Sequence, residues 1–152
     1  MLGIILCGGQ SSRMGSDKGL LIHEAKTWAQ TAWEKLAVLK LPMLLSVNGQ
    51  QVAEYAKVFS PETLIIDDRT LDIRGPLLGV LSVHLQHPDK DLFILACDLP
   101  LMDASLLKEL FSLYQQSKKY DAYIFTNDKE PEPLCGIYTS KALKKIMALK
   151  TR

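Results

Sequence analysis

The chain alternates two kinds of segment, and that alternation leaves few folds open to it. Short apolar runs occupy residues 3–7, 43–47, 63–66, 92–97, 121–126 and 134–138. Each is strand-length, and most end at glycine, asparagine or aspartate. Between them, apolar residues recur at helical spacing. Trp28, Ala29, Ala32, Trp33, Leu36 and Leu39 predict a helix over 26–40, which Pro42 stops. Leu106, Leu107, Leu110, Phe111 and Tyr114 predict another over 104–117, with Asp103 as its N-cap. Further helices are expected over 50–58, over 76–87 with Pro76 in the first turn, and from about Ser140. Strands alternating with helices imply βαβ crossovers, so the expectation is an α/β domain whose mostly parallel sheet is covered on both faces. Residues 1–152 read as one such domain, long enough to bury roughly two-thirds of its unfolded surface.

Parallel sheets bind ligands beyond the carboxyl ends of their strands. Gly8-Gly9, Asn48, Asp67-Asp68 and Asp98 all follow expected strands, so four polar features converge on one sheet edge. The segment 127–133 (Asn-Asp-Lys-Glu-Pro-Glu-Pro) reads as a solvated loop. A formal net charge of +1 gives no electrostatic ground for nucleic acid or a membrane surface as partner. Cys7, Cys97 and Cys135 are far apart and form no C-x-x-C pair, which argues against a zinc site or disulfide framework and for reduced thiols in a cytoplasmic protein. His23, His84 and His87 show no ligand spacing.

The most informative stretch runs Leu6-Cys7-Gly8-Gly9-Gln10-Ser11-Ser12-Arg13-Met14-Gly15-Ser16-Asp17-Lys18. Glycines let backbone approach a ligand and turn sharply, and successive N–H groups in such a turn form an anion-binding concavity. Arg13 and Lys18 add two cations suited to a polyphosphate. The spacing is neither G-x-x-x-x-G-K-[ST] nor G-x-G-x-x-G.

The string L-C-G-G-Q-S-S-R-M-G-S-D-K-G-L-L resembles the signature L-A-G-G-x-x-x-R-M-G-x-D-K of the nucleotidyltransferases related to molybdenum cofactor guanylyltransferase. The likeness continues in order through Val47-Asn48, Asp68 with Gly75-Pro76-Leu77-Leu78-Gly79, Cys97-Asp98-Leu99-Pro100 and Pro133-Leu134. It implies a Rossmann-like, three-layer nucleotidyltransferase fold. It also implies that backbone groups of Leu6, Cys7, Gly8 and Gly9 contact the nucleotide, and that Lys18 binds its phosphates. Asn48 and Asp68 would contact the guanine base, Asp68 being preferred over Asp67 for its spacing to Gly75. Asp98 would ligate Mg²⁺, while Arg13 and Lys18 stabilise charge during transfer.

The reaction so implied moves GMP from GTP to the terminal phosphate of molybdopterin and releases pyrophosphate. GTP and molybdopterin are the implied partners, and a cofactor-delivery protein belongs to the adaptor alternative. A CTP-dependent or sugar-phosphate-accepting relative, and a GTP-binding adaptor without turnover, stay open at this point. Two departures from the pattern stand out. Cys7 replaces the usual alanine, and the chain reaches Arg152 without the N-x-N-T-P segment that the family carries near its C-terminus.

Overall fold

A computed structural model describes residues 1–8, 17–99 and 102–150. In chain order the strands are β1 (Leu2–Leu6), β2 (Ile22–His23), β3 (Lys26–Thr27), β4 (Met43–Val47), β5 (Leu64–Ile66), β6 (Leu92–Ala96), β7 (Ala122–Asn127) and β8 (Glu130–Tyr138). The helices are α1 (Trp28–Ala37), α2 (Val52–Tyr55), α3 (Pro76–Gln86), α4 (Ala104–Gln116) and α5 (Ser140–Lys150). Six strands form one sheet in the order β5-β4-β1-β6-β8-β7, and β2-β3 form a separate hairpin. β1 runs parallel to both of its neighbours, β4 and β6, and β5 runs parallel to β4. Only β8 runs against the rest, pairing antiparallel with β6 and β7. The mostly parallel α/β sheet expected from the alternation is therefore present.

The sheet is hydrophobic on both faces because helices cover both. Ile5 and Cys7 face one core cluster with Ala29, Leu36, Phe93, Leu95 and Leu107, the layer of α1 and α4. Leu2, Ile4 and Leu6 face the other with Val80, Leu81, Ile94 and Leu143, the layer of α3 and α5. A five-residue strand buried on both sides reads as a continuous apolar run, which is what β1 and β6 show. After β4 and β5 are laid to one side of β1, the chain crosses to β6 on the other. The carboxyl ends of β1 and β6 thus flank the point where strand order reverses, the place where such sheets open a crevice.

Three local features differ from expectation. The first helix starts at Trp28, not at 26, because Thr27 caps it. The Thr27 hydroxyl accepts from the Gln30 N–H at 3.1 Å, and the Gln30 side chain accepts from the Thr27 N–H at 2.9 Å. Residues 22–27 instead form the β2–β3 hairpin, turned by Glu24 and Ala25 at φ 51° and 68°. Neither residue is a usual left-handed turn former, so the sequence carries no signal for it. Third, the supposed loop 127–133 is mostly strand. Asp128 and Lys129, at φ 48° and 71°, make a two-residue turn, and β8 starts at Glu130. Its prolines are tolerated because β6 pairs only with residues 135–138 of β8, so Pro131 and Pro133 lie beyond the stretch where β6 expects donors. Among the described residues, no helix is long and apolar enough to cross a membrane.

Candidate functional site

The site grows from the ends of three neighbouring strands. β1 and β6 stay in step to their ends, where the Cys97 N–H donates to the Leu6 carbonyl at 3.1 Å. Beyond β1 the chain leans toward β4, and the N–H groups of Cys7 and Gly8 both donate to the Ser46 carbonyl, at 2.9 and 3.0 Å. Gly8 sits against Asp67, so that a Cβ there would lie 2.9 Å from the Asp67 Oδ2. A side chain at this position would therefore have to displace the neighbouring carboxylate.

On the far side of the glycine-rich stretch, Asp17 introduces a short 3-10 turn over Lys18–Leu20. Its Oδ1 accepts from the Gly19 N–H at 3.0 Å and from the Tyr55 hydroxyl at 2.9 Å. This turn presents Lys18 toward Asp98, with Nζ 3.7 Å from Oδ2. Both side chains are about 40% exposed (43% and 41%), so cation and carboxylate face solvent inside an open cavity, not the core. Leu6, Cys7, Gly8, Pro76 and Cys97 line the same cavity. Leu6, Cys7, Gly8, Lys18 and Asp98 thus come together around one space.

Burial beside Cys97 holds the Cys7 thiol well above the usual range, which keeps it protonated. Gly9 and Arg13 lie outside the described residues.

A second cavity lies across Gly75 and Pro76. Asn48, Asp67, Arg69, Arg74, Gly75 and Leu78 line it. Asn48 Oδ1 accepts from the N–H groups of Gln50 and Gln51, at 2.9 and 3.0 Å, and so shapes the turn into α2. Gly75 is the N-cap of α3 at φ 74°, a left-handed conformation that suits glycine, and it makes no side-chain cap.

The two acidic residues part company here. Ile65 is buried toward α3 and Ile66 is exposed, so strand alternation sends Asp67 to the α3 side and Asp68 away from it. The Asp67 carboxylate accepts from the Ser46 hydroxyl at 3.2 Å and closes the floor between Gly8 and Gly79. Burial raises its pKa, partly countered by the Ser46 bond and by Arg69. The Asp68 carboxylate instead folds onto Thr70, accepting from its N–H at 2.9 Å and its hydroxyl at 2.6 Å, which lowers its pKa. Asp68 is anchored through its backbone, whose N–H donates to the Ser82 hydroxyl at 2.8 Å. Period-two alternation was the available signal for Asp67, and spacing to Gly75 pointed to Asp68 instead.

Among the described residues, no three histidine, cysteine or acidic side chains are grouped as a ready-made metal cage. Mg²⁺ does not need one, because it takes one or two carboxylates and completes its shell with phosphate oxygens and water. The half-exposed Asp98 carboxylate at the wall of a cavity that also holds Lys18 fits that pattern.

Comparison with known proteins points the same way. Residues 3–152 match the family described as MobA-like NTP transferase domain. The chain is similar to a probable molybdenum cofactor guanylyltransferase of Flavobacterium johnsoniae, 32% identical over 142 residues, covering 91% of this chain and 68% of that protein. It is also similar to a probable molybdenum cofactor guanylyltransferase of a Geobacillus strain, 30% identical over 149 residues, covering 98% of this chain and 75% of that one. In structure it is similar to the molybdopterin-guanine dinucleotide biosynthesis protein A of Archaeoglobus fulgidus, with TM-score 0.77 at 20% identity, covering 99% of this chain and 73% of that one. That last likeness speaks to the fold.

Proposed function

Because the chain belongs to the family of MobA-like NTP transferase domains, we propose that it transfers GMP from GTP to the terminal phosphate of molybdopterin, releasing pyrophosphate. The observation that carries the reading is the meeting of Lys18 and Asp98, 3.7 Å apart, in a cavity that Leu6, Cys7 and Gly8 at the end of β1 also line. A lysine and a carboxylate presented together toward solvent are of little use to stability. They suit a site that must hold a triphosphate.

In the reaction, an oxygen of the acceptor's terminal phosphate forms a bond to the α-phosphorus of GTP. The bond from that phosphorus to the bridging oxygen breaks, and its electron pair leaves with pyrophosphate. The acceptor supplies its own nucleophile, so no side chain need become covalently attached. What remains for the protein is positioning and charge. Backbone groups of Leu6, Cys7, Gly8 and Gly9 border the triphosphate. Lys18, joined by Arg13, offsets the negative charge that builds on the departing pyrophosphate. Asp98 would hold Mg²⁺, which supplies Lewis-acid polarisation of the phosphates when bound. The three buried free thiols suit the cytoplasm, where they stay reduced.

The guanine edge carries two donors, N1–H and the 2-amino group, and one carboxylate can accept both. Asn48 and Asp67 line the cavity beyond Gly75, with Asp68 next to them. We assign the reading of the base to Asp67, because it lines this cavity and Asp68 does not, its Oδ1 accepting both the N–H and the hydroxyl of Thr70. Asp67→Asn is expected to lower the preference for GTP over xanthosine triphosphate roughly 10–100-fold, since one acceptor becomes a donor. Asp68→Asn should leave that ratio unchanged.

The sign of the accompanying stability change follows from burial. The folded state holds Asp67 at a raised pKa, so its ionised form costs stability once pH rises through that value. Asp67→Asn should therefore melt at or above the wild-type temperature at neutral pH. Competition binding with the two triphosphates checks the first result, and thermal melts check the second.

The reaction itself is tested by mixing protein, GTP, Mg²⁺ and molybdopterin and following both pyrophosphate and the guanine dinucleotide by mass spectrometry. Stoichiometric appearance of the two products is expected. GTP bound without either product would remove the transferase reading.

A further inference from the structure

We infer that Gln51 and Tyr55, acting through Asp17, are positioning residues that tie both ends of the glycine-rich stretch together and hold Lys18 where the triphosphate binds; this rests on the nucleotide site proposed above. Gln51 uses every polar group it has. Its Nε2 donates to the Cys7 carbonyl at 2.9 Å and to the Asp17 Oδ2 at 2.6 Å. Its Oε1 accepts from the Asn48 N–H at 2.9 Å. One side chain therefore connects the end of β1, the residue before Lys18 and the start of the turn into α2.

Tyr55 completes the arrangement from the same segment. It is fully buried, and its hydroxyl donates to Asp17 Oδ1 at 2.9 Å. Burial, reinforced by nearby Cys7, Cys97 and Asp17, pushes the phenol pKa upward, so the group remains a donor. The Asp17 carboxylate is then held by three donors: the Gly19 N–H, Tyr55 and Gln51. The close packing at Gly19 adds a steric lock. A Cβ there would collide with the Tyr55 hydroxyl and lie 3.2 Å from the Cys97 Sγ. Charge-assisted bonds of this kind are short and directional, so they restrict the residue that follows as well as the one they hold. Lys18 is that following residue, and its ammonium faces Asp98. The short helix α2 thereby acquires a role in the reaction although none of its residues lines the cavity with Lys18 and Asp98.

Tyr55→Phe removes the hydroxyl and keeps the ring, and it leaves Asn48 untouched. It is expected to weaken GTP·Mg²⁺ binding about tenfold, with guanosine binding unchanged, as measured by calorimetry. Gln51→Leu should do the same or more, and Gln51→Arg, which can donate to both the Cys7 carbonyl and Asp17, should restore most of the loss. In a Lys18→Ala background, Tyr55→Phe should have little further effect, because the lysine it helps to aim is gone.

GTP affinity at the wild-type level in Tyr55→Phe and Gln51→Leu, even with lowered melting temperatures, would leave only a structural role and overturn the inference. So would equal losses for GTP and guanosine, or a full tenfold loss persisting without Lys18. A wild-type protein that fails to bind GTP defeats the nucleotide reading itself, whereas wild-type binding with indifferent variants defeats only the positioning role.

Discussion

Asp98→Ala is expected to slow pyrophosphate release by a factor of roughly 10²–10³, the loss typical when one preorganised electrostatic contact to a transition state is removed. Its stability should hardly change. The carboxylate is 41% exposed and, among the described residues, its one ion pair is with Lys18 at 3.7 Å, an exposed pair of the kind worth about 0–1 kcal/mol. Activity and folding are thus separable at this residue. Steady-state kinetics across a range of Mg²⁺ concentrations, alongside a thermal melt, make the comparison. Wild-type turnover in the variant would remove Asp98 from the reaction. A collapsed melting temperature would make it a structural residue instead.

The second large effect lies in the core. Phe93 is fully buried in the middle of β6, between β1 and β8, and belongs to the α1–α4 cluster. Phe93→Ala should cost about 3–5 kcal/mol through lost transfer energy and the cavity left behind. Against a typical stability of about 5–15 kcal/mol, that is a large fraction. For a domain of this size it corresponds to a fall of roughly 6–20 °C in Tm. Urea denaturation gives the free energy directly. A loss under about 1 kcal/mol would mean that the site collapses around the missing ring and that β6 is less tightly held than its burial implies. β6 also carries Asp98 two residues beyond its end, so the variant should lose activity on warming before it loses it at low temperature.

Sequence pattern and structure agree where apolar burial dominates. β1 and β6 are buried on both faces, and a run such as Leu92-Phe93-Ile94-Leu95-Ala96 admits few alternatives. Agreement fails where backbone dihedrals decide. Glu24 and Ala25, and again Asp128 and Lys129, adopt left-handed conformations without glycine, so neither hairpin turn was marked. Two prolines then disguised the first half of β8 as loop. The expected helix over 50–58 shrinks to Val52–Tyr55, its remaining residues forming turns.

The candidate site divides similarly. Lys18 and Asp98 could be picked out because they stand in a recognisable string and at the end of a clear strand. Asp17 stood in that same string but drew no role, because its role depends on donors more than thirty positions away. Gln51 carries no local signal at all, since nothing in its neighbourhood says that it will reach both Cys7 and Asp17.

We place a triphosphate site in the crevice where β1 and β6 end. A crystal structure of the protein grown with GTP and Mg²⁺ tests it most directly. Phosphate density is expected against the Gly8 backbone, with the Lys18 ammonium on the phosphates and the Asp98 carboxylate on the metal. Triphosphate bound elsewhere, or a crevice left filled by the Lys18–Asp98 pair at saturating GTP, would contradict it.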